Sequence, residues 1–401
     1  MDERGDVRGG GGAGRPGQPQ RVLRWIAAGL AVALVVASLT AYLAYRSVWD
    51  SITRISVGEL GPQPRKFNSA TNILLIGSDS RAGPNQKFGA GIPGQRSDTI
   101  IILHIAPGRQ GVVALSIPRD SVVPVLSCPP EPGAPGQHAQ PGQIEQINAT
   151  FAYGGPGCLW KTIEQTTHLH LDHFIELNFT GFEQVINDVG GVNVCLPFAI
   201  SDPLSKLRLS PGMHHVDGAE ALAFWRARYI GDGSDLERIR RDQYLMASMI
   251  QGVKRKGVLS DPATALSVVT DAARWMTTDS GLTVSEMLGI TDSLRQLPPG
   301  SVQFIELPTV PYQPNPNWVS WPASDNALFG AIAHDRTGPP AGSRQPASRH
   351  VAALSASAAH ARRARTGSAS PRGLSGTYGG ITGSANLCHD GSAFAGPDGG
   401  S

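Results

Sequence analysis

Two aspartates and six arginines are the side chains of this sequence best suited to chemistry, and their types point to one task. Asp79, Asp98, Arg81, Arg96, Arg119, Arg226, Arg228 and Arg238 fall into five short polar clusters. A guanidinium is a permanently charged planar fork that grips phosphate oxygens in pairs, and paired carboxylates can hold a divalent cation against those oxygens. The set therefore suits a polyanionic, phosphate-bearing ligand. One such cluster alone reads as a surface ion pair; five in order do not. Asp79 and Asp98 are the expected metal ligands. Mg2+ is the expected ion and Mn2+ its substitute, because Mg2+ accepts one or two carboxylates, completes its shell with phosphate oxygens and keeps water. The six arginines are expected to line a diphosphate. Asp98 and Arg119 are the expected catalytic pair, one holding the cation and the other offsetting charge on the leaving phosphate.

Secondary candidates surround these. Asn148 could orient substrate, although capping the segment 149–153 explains it slightly better. Arg226 and Arg228 lie two residues apart and cannot share one face of a helix, so both serve one site only if that helix ends there, as Gly231 and Gly233 suggest. Of Arg240 and Arg241, at least one should be solvated. Asp242 stands four residues after Arg238 and can pair with it on a helical face. His168, His170 and His173 alternate on an extended segment and are not expected to hold a metal. There is no Gly-x-Ser-x-Gly elbow, no Walker loop and no His-Glu-x-x-His helix.

The first three clusters sit at the ends of apolar runs. Asp79 follows 73–77, Asp98 precedes 99–106, and Arg119 follows 112–117. Strand ends are where an α/β sheet collects its site residues. Strands are expected at 73–76, 99–106, 112–117, 174–178, 192–196 and 302–307, the second and third buried on both faces. Helices are expected at 159–167, 181–189, 218–227, 234–256 and 283–297. The fourth carries Leu236, Ile239, Tyr244, Leu245 and Met249 at helical spacing. The class is α/β: one domain, 71–335, with a central mixed sheet covered by helices.

The flanks differ in composition. Residues 1–24 are rich in Gly, Arg and Pro and are expected to be a disordered cytoplasmic tail. Residues 25–45 contain no charge and are long enough for a transmembrane helix, and Arg15, Arg21 and Arg24 before them place the N-terminus in the cytoplasm. An uncleaved anchor is favoured over a signal peptide, because no small-x-small cleavage site follows the run. Residues 46–70 form a stalk in which Pro62 and Pro64 oppose helix. Residues 336–401 read as a low-complexity basic and Gly/Ser-rich tail; 336–372 hold seven Arg and no acid. The net charge of +2 is modest, and no nucleic-acid partner is expected. Four cysteines fit an oxidising compartment and match no zinc or redox spacing. Three pairings are open. Cys128 and Cys158 bracket a proline-rich loop, so a bond between them is expected, and Cys388 could tie 377–401 back to the domain.

The ordered motifs resemble the LytR-CpsA-Psr family of cell-envelope phosphotransferases, of the actinobacterial type. NILLIGSDSR at 72–81, RSDT at 96–99, SIPRD at 116–120 and INATFAYGGP at 147–156 carry the resemblance. LDHF at 171–174, DVGGV at 188–192, DGAEAL at 217–222, RAR at 226–228 and DLERIRR at 235–241 continue it over a core of 72–255. It implies that Asp79 and Asp98 bind metal, and that Arg119, Arg226, Arg228 and Arg238, with Arg81 and Arg96, contact pyrophosphate. At 242 the chain departs from the family's Arg-Gln-Gln pattern, an acid standing where a ligand-facing Gln is usual. The implied protein is an extracytoplasmic domain on a membrane anchor. It would move a glycopolymer from a polyprenyl-pyrophosphate carrier onto a peptidoglycan hydroxyl, with membrane lipid as the shared plane. Two rivals remain: a lipid-pyrophosphate hydrolase that uses the same arginines and cation with water as acceptor, and a non-enzymatic wall-binding regulator acting through its basic tail.

Overall fold

Residues 100–105 and 112–117 are apolar at every position but His104 and Ser116 and leave no polar face to turn to water, so these strands must lie inside a sheet. They do. The computed structural model describes residues 18–57, 61–89, 95–109, 111–130, 142–227, 235–255, 262–337, 380–385 and Cys388. Its eight-stranded sheet comprises β1 (Thr53–Ile55), β2 (Thr71–Ser78), β3 (Ser97–Ile105), β4 (Val112–Ile117), β5 (His173–Asn178), β6 (Met276–Asp279), β7 (Val302–Glu306) and β8 (Gly380–Thr382). The spatial order is β1-β6-β5-β2-β3-β4-β7-β8. β2 runs antiparallel to β3 and parallel to β5, and β4 antiparallel to β3 and parallel to β7. The carboxyl ends of β2, β4, β5 and β7 and the amino end of β3 thus share one edge, which gathers Asp79, Asp98 and Arg119.

The period of two along each strand sorts side chains between two covered faces. Leu74, Ile76, Ile100, Ile102 and Leu115 pack with α2 (Ile147–Thr167) and α8 (Asp325–Ala333). Ile73, Ile101, Ala114 and Phe304 pack on the other face with Ala247 of α5 (Asp235–Arg255). Each fully buried Ile or Leu contributes about 1.5–3 kcal/mol. A third core joins α3 (Phe179–Asp188), α4 (Gly218–Arg226) and α5 to the hairpin of Val192–Leu196 and Gly212–Val216. The expected strand at 192–196 therefore exists outside the central sheet, with only alternate residues buried.

Several elements go beyond the sequence reading. α2 begins at Ile147 because two helices abut at a kink where Gly155 takes φ 63° and Pro156 restarts the turn. β1 lies inside the expected stalk, the short polar β6 completes its edge, and α6 (Pro262–Ala273) and α8 are additional. α7 (Val284–Gln296) is capped by Thr283 and Glu286 in a capping box. β8 lies within the span read as a low-complexity tail, and it adds a strand there: Ile381 pairs with Phe304, and a Cβ on Gly380 would come 2.1 Å from the Phe304 carbonyl oxygen. Disulfides join Cys128 to Cys158, as expected, and Cys195 to Cys388, which staples the residues after β8 to the hairpin core. The basic segment beyond Thr337 and the first 17 residues lie outside the described residues. Met1–Asp50 forms a separate unit, in which α1 (Gln18–Ser51) runs past the expected 25–45. Its stretch from Val22 is long and apolar enough to cross a membrane, at a mean hydropathy of 2.2.

α4 matters most for the site because it ends on Arg226. Asp217 caps it, its carboxylate accepting from the Glu220 N–H at 2.9 Å while the Glu220 carboxylate accepts from the Asp217 N–H. At its first residue a Cβ on Gly218 would stand 2.1 Å from the Glu183 carbonyl oxygen of α3. Gly218→Ala should force the two helices apart and destabilise the domain by roughly 1–3 kcal/mol. Thermal melts check this; an unchanged Tm would show that the backbones do not meet so closely.

Candidate active site

The cluster is assembled from backbone ties first. β2 shifts register between Gly77 and Ser78, turning the chain out of the sheet. Beyond it the Asp79 Oδ1 accepts from the Arg96 N–H at 2.7 Å, and the Asp79 N–H donates to the Arg96 carbonyl at 3.1 Å. Asp98, on the next strand, accepts from Arg119 Nη1 at 2.5 Å. Arg238 reaches in from α5, its Nη2 donating to the Asp98 carbonyl at 3.1 Å. Arg119 Nε lies 3.5 Å from Asp120 Oδ2, and its carbonyl accepts from the Asn148 N–H at 3.3 Å. Arg81 Nε donates to the Asp79 carbonyl at 3.0 Å and Nη1 to the Phe88 carbonyl.

These groups rim a cavity of 1130 Å3. Asp79, Arg81, Arg96, Asp98, Arg119, Asn148, Arg226 and Arg238 all line it. Leu75, Ile101, Ile175, Leu177, Phe182 and Met246 form its apolar part. The buried strands of the sheet supply most of this apolar wall, and α3 adds Phe182.

Burial pushes the Asp79 carboxyl above its usual range and the charge of Asp98 adds to it, partly offset by the Arg96 N–H bond and by Arg81 and Arg96. The carboxylates are thus close enough to feel each other. Among the described residues each has one side-chain oxygen in a hydrogen bond, and the two carboxylates together could hold a cation. Two hard oxygen donors beside arginines fit Mg2+ shared with a phosphate ligand.

Of the remaining candidates, Arg241 and Asp242 do not line this cavity, and Arg228 is not among the described residues. Arg228 lies outside the described residues, as do Gly231 and Gly233, but α4 does end at Arg226, with Ala227 extended. Arg241 is not at the cavity: 3% exposed, it donates to the Trp225 carbonyl and stacks 5.6 Å from the Phe224 ring centroid, tying α5 to α4. Asp242 is buried beneath the site, sharing a void of 20 Å3 with Asp98, Arg119 and Arg238. Arg240 is the solvated one, 3.5 Å from Glu306. The histidines have other partners. His170 Nδ1 is 3.1 Å from the Pro64 carbonyl, and His173 Nδ1 is 3.1 Å from Asp279. Burial works against the His173 cation, but Asp279, with Glu286 and Asp172, outweighs it and raises its pKa.

Sequence reasoning missed Phe88 and Phe179. Phe88 lay in a Gly/Pro-rich loop, and Phe179 carried no signal except its place after β5. Both aromatic rings lie against site arginines: Arg81 is 5.3 Å and Arg226 4.8 Å from the Phe179 centroid, and Arg226 is 5.5 Å from that of Phe88.

The mixed α/β sheet thus collects arginines and paired aspartates over one apolar cavity. The chain belongs to the LytR-CpsA-Psr family, whose profile matches residues 50–328. It is 32% identical over 271 residues to the "Probable cell wall biosynthesis protein LcpB" of Corynebacterium glutamicum, covering 66% of this chain and 60% of that one. It is 26% identical over 240 residues to the "Polyisoprenyl-teichoic acid--peptidoglycan teichoic acid transferase TagU" of Bacillus cereus, covering 58% of this chain and 71% of TagU. The match to LcpB thus spans less than two thirds of that relative's length. In fold it is similar to a LytR-Csp2A-Psr enzyme from Actinomyces oris, with a TM-score of 0.53 and 21% identity over 70% of this chain and 96% of that one.

The coupling of the carboxylates is measurable. In a carboxyl NMR titration Asp79 should titrate above ordinary aspartates, and Asp98→Asn should move it down by removing a neighbouring charge. An Asp79 titration that ignores Asp98→Asn would show that the two do not converge.

Proposed function

We propose that this chain is a membrane-anchored phosphotransferase that moves a glycopolymer from a polyprenyl-pyrophosphate carrier onto peptidoglycan in cell-wall assembly. The observation that carries the proposal is one cavity with a guanidinium and carboxylate rim and an apolar interior. A polyprenyl diphosphate has that same division, a charged head on a hydrocarbon tail. The relatives add their weight: one is named for cell-wall biosynthesis and another for transfer of polyisoprenyl-linked teichoic acid to peptidoglycan. The apolar helix α1 would hold the enzyme in the membrane that carries its donor, with the N-terminus cytoplasmic and the catalytic domain outside.

Arg81, Arg96, Arg119, Arg226 and Arg238 would bind the diphosphate, and Arg228 is assigned with them from its place in the motif. Their fixed positive charge orients the head and stabilises charge that develops as the phosphoanhydride breaks. Asp79 and Asp98 would hold Mg2+, or Mn2+ in its place, which supplies charge neutralisation of the diphosphate oxygens. Leu75, Ile101 and Ile175 would receive the hydrocarbon and exclude water from that side. A peptidoglycan hydroxyl then takes the sugar-phosphate, and polyprenyl phosphate leaves with the electrons of the broken P–O bond. The acceptor's proton passes to solvent or to a base at the rim.

Asp98→Ala should nearly abolish transfer without unfolding the domain, because Asp98 lies at the rim and contributes little to the core. Arg119→Lys should be impaired too, since an ammonium keeps the charge but loses the fork. Losing one such preorganised donor typically costs about 10²–10³ in rate. Mass spectrometry of glycolipid transfer to peptidoglycan oligomers reads the outcome, with thermal melts as the folding control. Release of the glycan phosphate to water alone would favour a hydrolase. A folded Asp98→Ala protein at wild-type rate, or full activity in excess chelator, would contradict the metal-assisted mechanism.

A further inference from the structure

Phe179 and Phe88 have no donor, acceptor or charge, yet they make the closest ring contacts of two site arginines. Those arginines come from distant parts of the chain: Arg81 from the turn after β2 and Arg226 from the last residue of α4. Both lie against the Phe179 ring, their guanidinium carbons 5.3 Å and 4.8 Å from its centroid. Phe88 meets Phe179 edge-on, with centroids 5.3 Å apart and planes at 81°, and lies 5.5 Å from Arg226 itself.

This arrangement is built, not incidental. Phe179 is only 9% exposed at the first position of α3. Phe88 ends a short 3-10 turn, Gly83–Phe88, pinned to the same helix at two points. Asn85, 2% exposed, accepts from both the N–H and the hydroxyl of Thr180, at 2.9 and 2.8 Å, and Lys87 pairs with Glu183 at 2.5 Å. The Phe88 carbonyl also accepts from Arg81. The turn therefore acts as a strap that fixes the position of one ring and one arginine together.

We propose that Phe179 and Phe88 are positioning residues for anion binding. They hold Arg81 and Arg226 by the faces of their guanidinium groups and so aim both at the diphosphate position. Stacking engages the guanidinium face through the ring's negative quadrupole and not its in-plane N–H donors, which are the edges that meet phosphate oxygens. A ring shared by two cations also attracts both, countering the repulsion that would splay them. An aliphatic side chain of similar volume fills the space and does neither. This inference rests on the diphosphate reading of the site.

The test measures binding of magnesium pyrophosphate, a probe without a hydrocarbon tail, to the full chain in detergent by calorimetry. Phe179→Leu should weaken binding by about tenfold, the size expected for one or two partly desolvated cation–π contacts. Phe179→Tyr, which keeps the ring, should stay within about twofold. In an Arg81→Met/Arg226→Met background Phe179→Leu should change nothing further, whereas a merely structural role would lower Tm and affinity in both backgrounds alike. Phe88→Leu gives the same reading at the strap if Phe179→Leu does not fold. A folded Phe179→Leu or Phe88→Leu protein that binds like wild type overturns the proposal, as does an equal loss in the arginine-deficient background. Failure of the wild-type protein to bind pyrophosphate would instead overturn the diphosphate reading, and this inference with it.

Discussion

Several guanidinium groups around one cavity repel each other, and the rest of the site is arranged to bear that repulsion. Two like charges about 5 Å apart oppose each other by roughly 3 kcal/mol at an effective dielectric constant of about 20. The protein counters it with fixed partners. Arg119 is held by Asp98, Arg238 by the Asp98 carbonyl, Arg81 by two carbonyls, and Arg81 and Arg226 by aromatic faces. A diphosphate would complete this balance with the charge the protein itself withholds. Preorganised positive charge of this kind needs no rearrangement when the transition state forms.

Holding those partners in place is the work of the sheet. Only an order that sets β3 antiparallel between β2 and β4 brings the start of one strand beside the ends of the others, so Asp98 faces Asp79 and Arg119. The face of the sheet that carries Leu75, Ile101 and Ile175 then continues from the charged edge into the apolar cavity. Polar rim and hydrocarbon-like interior are thus consecutive positions on the same strands. Arg241, buried between α4 and α5, and Gly218, where α4 meets α3, fix the helix that delivers Arg226.

Much of this was legible in the sequence where a local pattern coincided with burial. The run 112–117 is β4 to the residue, and the acids and arginines next to apolar runs are the ones at the cavity. What was not legible depended on pairing at a distance. Met276–Asp279 and Gly380–Thr382 are too short and too polar to announce strands, and only their neighbours in the sheet make them so. The kink at Gly154 and Gly155 hid the first half of α2. Arg240 and Arg241 could not be told apart by type, and only the packing of α5 on α4 buries Arg241 against Phe224 while Arg240 stays in solvent. Phe88 and Phe179 were invisible because aromatic rings after a turn or a strand are ordinary core signals; only the arrival of two arginines from elsewhere distinguishes them.

On the proposed function, one cavity would take a polyprenyl diphosphate, head to the arginines and tail to the sheet. A crystal structure of the protein with Mg2+ and a short-chain polyprenyl diphosphate tests it most directly. The diphosphate is expected among Arg119, Arg226 and Arg238, the cation between Asp79 and Asp98, and the prenyl chain along Leu75, Ile101 and Ile175. A diphosphate bound away from these arginines, or a prenyl chain lying outside the cavity, would contradict it.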